Sequence, residues 1–234
     1  MTYRLLEAFE SAFSGKRYLH RNQGIGNFVA SHLYEDLVDL GRSPVIVDRT
    51  LAGRYVVNTS NLVKGRTGRR GDGTFGELIP GEEANAETGF KVCRGPVATL
   101  LIGAEVKIIA KAMLKQIDRV MTDLLSQSLT FKQQSSNVVT AAIVGINYSD
   151  AYVSYEGDRS YPAKPAPAKE APTAIQRIVQ RITPTFDELL VLRFRATNRP
   201  PYPFEWVDAQ DTRQSYGAAL LRINDLVSNR IGVR

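Results

Sequence analysis

The sequence predicts an α/β fold: a central mixed β-sheet flanked by helices. Three observations predict it. Residues 97–109 form a long apolar run of strand character. Residues 110–127 carry apolar side chains at helical spacing. Residues 137–147 form a second apolar run. Strand, helix and strand in succession, with both strands nearly continuously apolar, describe a sheet covered on its two faces. At 234 residues, with 43% apolar and 23% charged residues, the chain suffices for one large domain with a true core. A single domain over 1–234 is expected, with a core about 27–150.

Residues 2–13 read as a short amphipathic helix through Leu5, Leu6, Phe9 and Phe13. The segment to Gly26, with Gly24 and Gly26, reads as a turn, since no Gly-Lys-Ser/Thr follows. A second helix is expected over 27–40, closed by Gly41, with Glu35 and Asp36 on or near its polar side and His32 in a packing role. Strands are expected at 44–48, 54–58, 74–79 and 90–94, with an acidic loop over 80–89. In the central run, Ala98, Leu100, Ile102, Ala104, Val106 and Ile108 alternate onto one face. In the helix at 110–127, Lys111, Lys115 and Arg119 lie four apart as a basic stripe, with Gln116 beside it. A polar aromatic loop follows at 148–161. A Pro/Ala-rich surface loop at 160–172 leads to a C-terminal elaboration, 173–234. That part holds a helix from Thr173, a strand at 189–195, a proline-punctuated loop at 198–206 and a last helix over 212–229.

The net charge of +6 favours an anionic partner, nucleic acid first. One cysteine, Cys93, excludes an intramolecular disulfide, and with only His20 and His32 no Cys/His zinc site can assemble. The start carries no signal-like apolar run and no segment is long enough to span a bilayer, so a cytoplasmic setting and no membrane are expected.

Chemistry concentrates at the end of the central run. Glu105 and Lys107 fall two residues apart on one face of a strand that is otherwise built to be buried. A carboxylate there can hold a hard divalent cation, and an ammonium one pleat away can orient a water or neutralise a phosphate. The bland alternative is a half-buried ion pair. Upstream, residues 64–73 place Lys64, Arg66, Arg69 and Arg70 among glycines, a composition suited to phosphate contact, and end at Asp72 just before a strand.

With helix, strands, a strand bearing Glu105-Val106-Lys107, an amphipathic helix and an apolar strand in that order, the chain resembles the PD-(D/E)xK nuclease superfamily, which includes many type II restriction endonucleases. The resemblance implies a restriction-endonuclease-like core and a Mg2+-dependent endodeoxyribonuclease, a restriction enzyme of bacterial or phage defence acting on double-stranded DNA as a homodimer. It implies a further acid upstream. No Pro-Asp precedes the central strand. Asp72, 33 residues before Glu105, is the best match, followed by Glu77 and Glu87. Asp72, Glu105 and the Val106 carbonyl would then hold Mg2+, with Lys107 at the water and Gln116 in support. Arg66, Arg69, Arg70, Lys111, Lys115 and Arg119 would grip the DNA backbone. Some members use a glutamate on the first core helix, here Glu35. The alternative is a non-catalytic nucleic-acid-binding protein on the same fold.

Overall fold

The computed structural model describes residues 2–19, 24–58, 62–63, 66–67, 71–156 and 159–232. Its elements run α1 (Arg4–Ser11), α2 (Gly24–Leu40), α3 (Pro44–Leu51), β1 (Tyr55–Val57), β2 (Leu62–Val63), β3 (Arg66–Thr67), β4 (Gly73–Leu78), β5 (Val97–Ile109), α4 (Met113–Gln134), β6 (Val139–Asn147), β7 (Val153–Glu156), β8 (Arg159–Pro162), α5 (Pro167–Ile182), β9 (Glu188–Ala196), β10 (Phe204–Trp206) and α6 (Ala209–Gly232). The main sheet has the order β1-β4-β5-β6-β9-β10. β4 is antiparallel to both β1 and β5, β5, β6 and β9 run parallel, and β10 is antiparallel to β9. The fold is therefore α/β with a mixed sheet, as the apolar runs require.

Helices cover both faces. Ile102, Ala104, Val106, Ala141, Ile143, Leu192 and Phe194 pack with residues of α1, α2 and α6. Ile109, Ala142, Val144 and Ile146 pack under α4 and α5. The predicted alternation of β5 breaks at two bulges against β4, where Phe75 faces Ile102 but Gly76 faces Leu100, and Glu77 faces Thr99 but Leu78 faces Val97. The extra residue, Leu101, reverses the faces, so Leu100 packs with Phe131 of α4 while Ile102 points to α2.

Several expectations are corrected. Residues 44–48 are helical, because Ser43 accepts from Ile46 N as the N-cap and Pro44 sits in the first turn. Gly24 and Gly26 lie inside α2 rather than in a turn. Glu35 and Asp36 are fully buried. Asp36 accepts from Arg4 N, Leu5 N and Tyr216 Oη, and so joins α1, α2 and α6. Residues 90–94 form no strand, because Glu35 takes the Lys91 and Val92 amides. The 148–161 stretch folds back as the β7–β8 hairpin. The Pro/Ala-rich loop is short, since α5 starts at Pro167 and runs through Pro172. Within 198–206, residues 204–206 add β10.

Two buried polar side chains fasten this outer architecture. Asn198, at φ +55°, accepts from Tyr18 N and donates to Tyr18 O, Val153 O and Tyr152 Oη. Glu170 of α5 accepts from Met113 N at the start of α4. Among the described residues, no helix is long and apolar enough to cross a membrane.

Asp187 closes the far end of the sheet by accepting from Thr140 N and Oγ1 and pairing with Arg230 at 2.5 Å. Burial pushes its carboxyl up, but the Arg230 guanidinium and the Thr140 donors outweigh that and hold it below the usual carboxylate range. A depressed folded-state pKa gives stability that is present above the unfolded value and is lost as pH falls through the folded one. Asp187→Asn is expected to cost about 1 kcal/mol at pH 7 and to lose less stability on acidification than wild type. Urea melts at pH 7 and pH 3 measure both.

Candidate functional site

β5 outruns its neighbour. β4 begins at Gly73, opposite Ala104, whereas β5 continues to Ile109, paired only with β6. From Glu105 onward the β4-side edge of β5 thus lacks ladder partners from β4. Asp72, the residue before β4, fills the first gap: its Oδ2 accepts from Val106 N at 2.9 Å. In the other direction Asp72 N donates to Glu105 Oε2 at 3.3 Å. Lys107 Nζ lies 2.7 Å from Glu105 Oε1. One backbone step past the hairpin therefore brings Asp72, Glu105 and Lys107 together across 33 residues of sequence.

The cluster is half sunk. The Glu105 side chain is 4% exposed and that of Lys107 23%. Burial pushes the Glu105 carboxyl up first, the Asp72 charge adds to this, and Lys107 opposes both. Two acids held so close gain from a shared cation. A strand residue directs its N–H and C=O to the same edge, so the Val106 carbonyl faces the side on which Val106 N meets Asp72. Two carboxylates and a carbonyl form a hard oxygen donor set that suits Mg2+, which keeps several waters and needs few protein ligands. Among the described residues no group of three or more acidic, histidine or cysteine side chains comes together, here or elsewhere, so a cation at this place would rest on two carboxylates and the carbonyl.

No match to this chain is found among protein-family models, curated proteins or solved structures. The site therefore rests on its own geometry.

The structure keeps the other three candidate acids, Glu77, Glu87 and Glu35, away from Asp72 and Glu105. Glu77 pairs with Thr99, six residues along β5 from Glu105 and so about 20 Å away, and its carboxylate meets Arg49. Glu87 pairs with Arg94. Glu35 is committed to the amides of residues 91 and 92 and to Arg4. None of the three belongs to the cluster. Gln116 donates to the Lys111 carbonyl, and Lys111 bonds Ser154 of β7, so Lys111 precedes α4 instead of lying on a helical stripe. Lys115 and Arg119 are exposed on α4. Arg66 lies in β3, though its side chain is outside the described residues, as are Lys64, Arg69, Arg70 and His20 altogether. His32 has the packing role expected, with Nδ1 2.7 Å from the Phe28 carbonyl and its ring against Phe28 and Phe90.

Residue-by-residue reading of the sequence missed the support behind the cluster. Tyr34 of α2 donates to the Gly73 carbonyl at 2.9 Å, and the Ala104 amide bonds the same hydroxyl. The hydroxyl thus sits on the last β4–β5 pair, directly behind Asp72. Burial pushes this phenol far up, so it stays a donor. Tyr34→Phe is expected to cost about 1 kcal/mol in urea melts, the usual loss of one buried hydrogen bond. A change within a few tenths of wild type would show that the hydroxyl does not hold the strand start.

Proposed function

We propose that this chain is a Mg2+-dependent endonuclease that hydrolyses DNA phosphodiester bonds in the manner of the PD-(D/E)xK nucleases, as a restriction enzyme does. The observation that carries this reading is the convergence of Asp72 on Glu105 and Lys107 at one strand edge. The order of antiparallel β1, β4 and β5, then α4, then parallel β6 supports it, since that is the order the resemblance implies.

Hydrolysis requires a water in line with the scissile P–O bond, neutralised phosphate charge and a stabilised leaving oxygen. Asp72 and Glu105 would hold Mg2+ together with the Val106 carbonyl. When bound, the ion supplies Lewis-acid polarisation of the phosphate and of a water. Lys107, fixed by Glu105 Oε1, places an ammonium beside the reacting centre, where it orients the attacking water and offsets the charge of the phosphate. Arg66, Arg69, Arg70, Lys115 and Arg119 are assigned to the DNA backbone, with an affinity that falls steeply with salt. Lys111 and Gln116 shape the turn that follows β5. Cutting both strands of a duplex calls for a symmetric pair of such sites, hence a homodimer.

The test is cleavage of supercoiled and linear duplex DNA with Mg2+, with EDTA as control, beside Mn2+ titration by calorimetry. Asp72→Asn and Glu105→Gln are expected to lose both Mn2+ binding and cleavage. Lys107→Ala is expected to keep Mn2+ binding and lose cleavage by roughly 10²-fold or more. Duplex binding by the wild type with no cutting under any divalent cation would establish the non-catalytic alternative. Absence of DNA binding at low salt, with Lys107→Ala only lowering stability, would reduce the cluster to an ion pair.

A further inference from the structure

Asp72 is threaded between two helices by three residues that have no side chains. Gly71 stands at φ +70°, and a Cβ there would lie 2.6 Å from the Phe131 ring of α4. A Cβ on Gly73 would lie 2.7 Å from Ala30 Cβ of α2. On the other side stands Gly26, the third residue of α2. A Cβ on Gly26 would fall 2.6 Å from Asp72 Cγ and Oδ1 and 2.8 Å from Oδ2. Carbon and oxygen atoms do not pack so closely, and something would have to move. At 71 and 73 the obstacles are packed core groups. At 26 the obstacle is the Asp72 carboxylate itself, the end of a short side chain that can rotate away.

We propose that Gly26 is a positioning residue for the reaction proposed above. Its missing side chain lets the Asp72 carboxylate stand against the first turn of α2, bonded to Val106 N and facing Glu105. Any side chain at 26 turns that carboxylate out of the cation site. The location also suits the charge, because the first turn of a helix carries positive potential and favours an anion. That attraction offsets part of the repulsion between Asp72 and Glu105. The glycine is otherwise unfavourable at this place, since glycine is a poor helix former and alanine the best.

This inference rests on the nuclease reading for its consequence but not for its geometry, and the experiment separates the two. Gly26→Ala is compared with wild type in three measurements. Thermal melting is expected at or above the wild-type temperature, because alanine favours the helix. Hydrogen exchange of the Val106 amide is expected to rise about tenfold or more as its acceptor leaves. Mn2+ affinity is expected to fall about tenfold, with kcat for cleavage falling and KM for DNA little changed. In an Asp72→Ala background, Gly26→Ala is expected to leave Val106 exchange, Mn2+ affinity and cleavage unchanged, since the two residues act through one contact, while the gain in melting from alanine in the helix remains. Wild-type protection of the Val106 amide in Gly26→Ala overturns the proposal, as does wild-type Mn2+ affinity. Should Gly26→Ala melt below wild type, the double variant decides: recovery on removal of the Asp72 carboxylate supports the clash, and no recovery overturns it. A wild type that neither binds Mn2+ nor cuts DNA refutes the nuclease reading alone, while Val106 exchange still judges the role of Gly26.

Discussion

The hydrogen bond from Val106 N to Asp72 Oδ2 is the constraint on which the site depends. It arises from a mismatch in strand length. β5 continues for five residues beyond its last partner on β4, and a strand edge in a buried sheet must find acceptors for its amides. A carboxylate at the approach to β4 answers that need. The same residue then stands beside Glu105, whose Oε2 accepts from the Asp72 amide. Backbone satisfaction and the pairing of two acids are thus one event. Lys107 opposes the repulsion between the two acids.

The helix behind the site, α2, is largely buried and tied to its neighbours by two acids. Both acids in its middle are buried and fully engaged. Glu35 draws the 91–92 segment onto α2, and Asp36 caps α1 while accepting from Tyr216 of α6. Burial pushes Asp36 up, against the opposing pull of Tyr216 and the α1 amides. These ties fix the helix on which Gly26 and Tyr34 reside. The distance between its first turn and the hairpin is therefore set from three directions.

Much of this was legible in the sequence. The apolar runs of β5 and β6 and the stripe of α4 announce the parallel unit, because strands covered on both faces are apolar along their whole length whatever their register. Asp72 was legible as the first of three acids, and Glu77 and Glu87 remained open because strand register is not written in composition. Register also hid the bulge at Leu101, which inverts half of β5. The β-branched run 44–48 imitates a strand, yet the Ser43-Pro44 cap decides for helix. The segment 90–94 has strand composition, but a buried carboxylate 55 residues upstream of Phe90 claims its amides. Gly26 was invisible for another reason. Its meaning lies in what it leaves empty, and no local pattern marks a void filled by a residue 46 positions away.

The Asn198 clamp has a consequence of its own. Its four bonds pin the N-terminal segment at Tyr18 and the base of the β7–β8 hairpin at Tyr152 and Val153, while Ala163 N returns to the Tyr152 carbonyl. All four β8 residues are exposed. The ribbon is moored at its root and unencumbered along its outer strand. It is therefore an interchangeable module: descendants of this chain can rewrite residues 159–162 wholesale while the core keeps its packing and the strand edge keeps its acids.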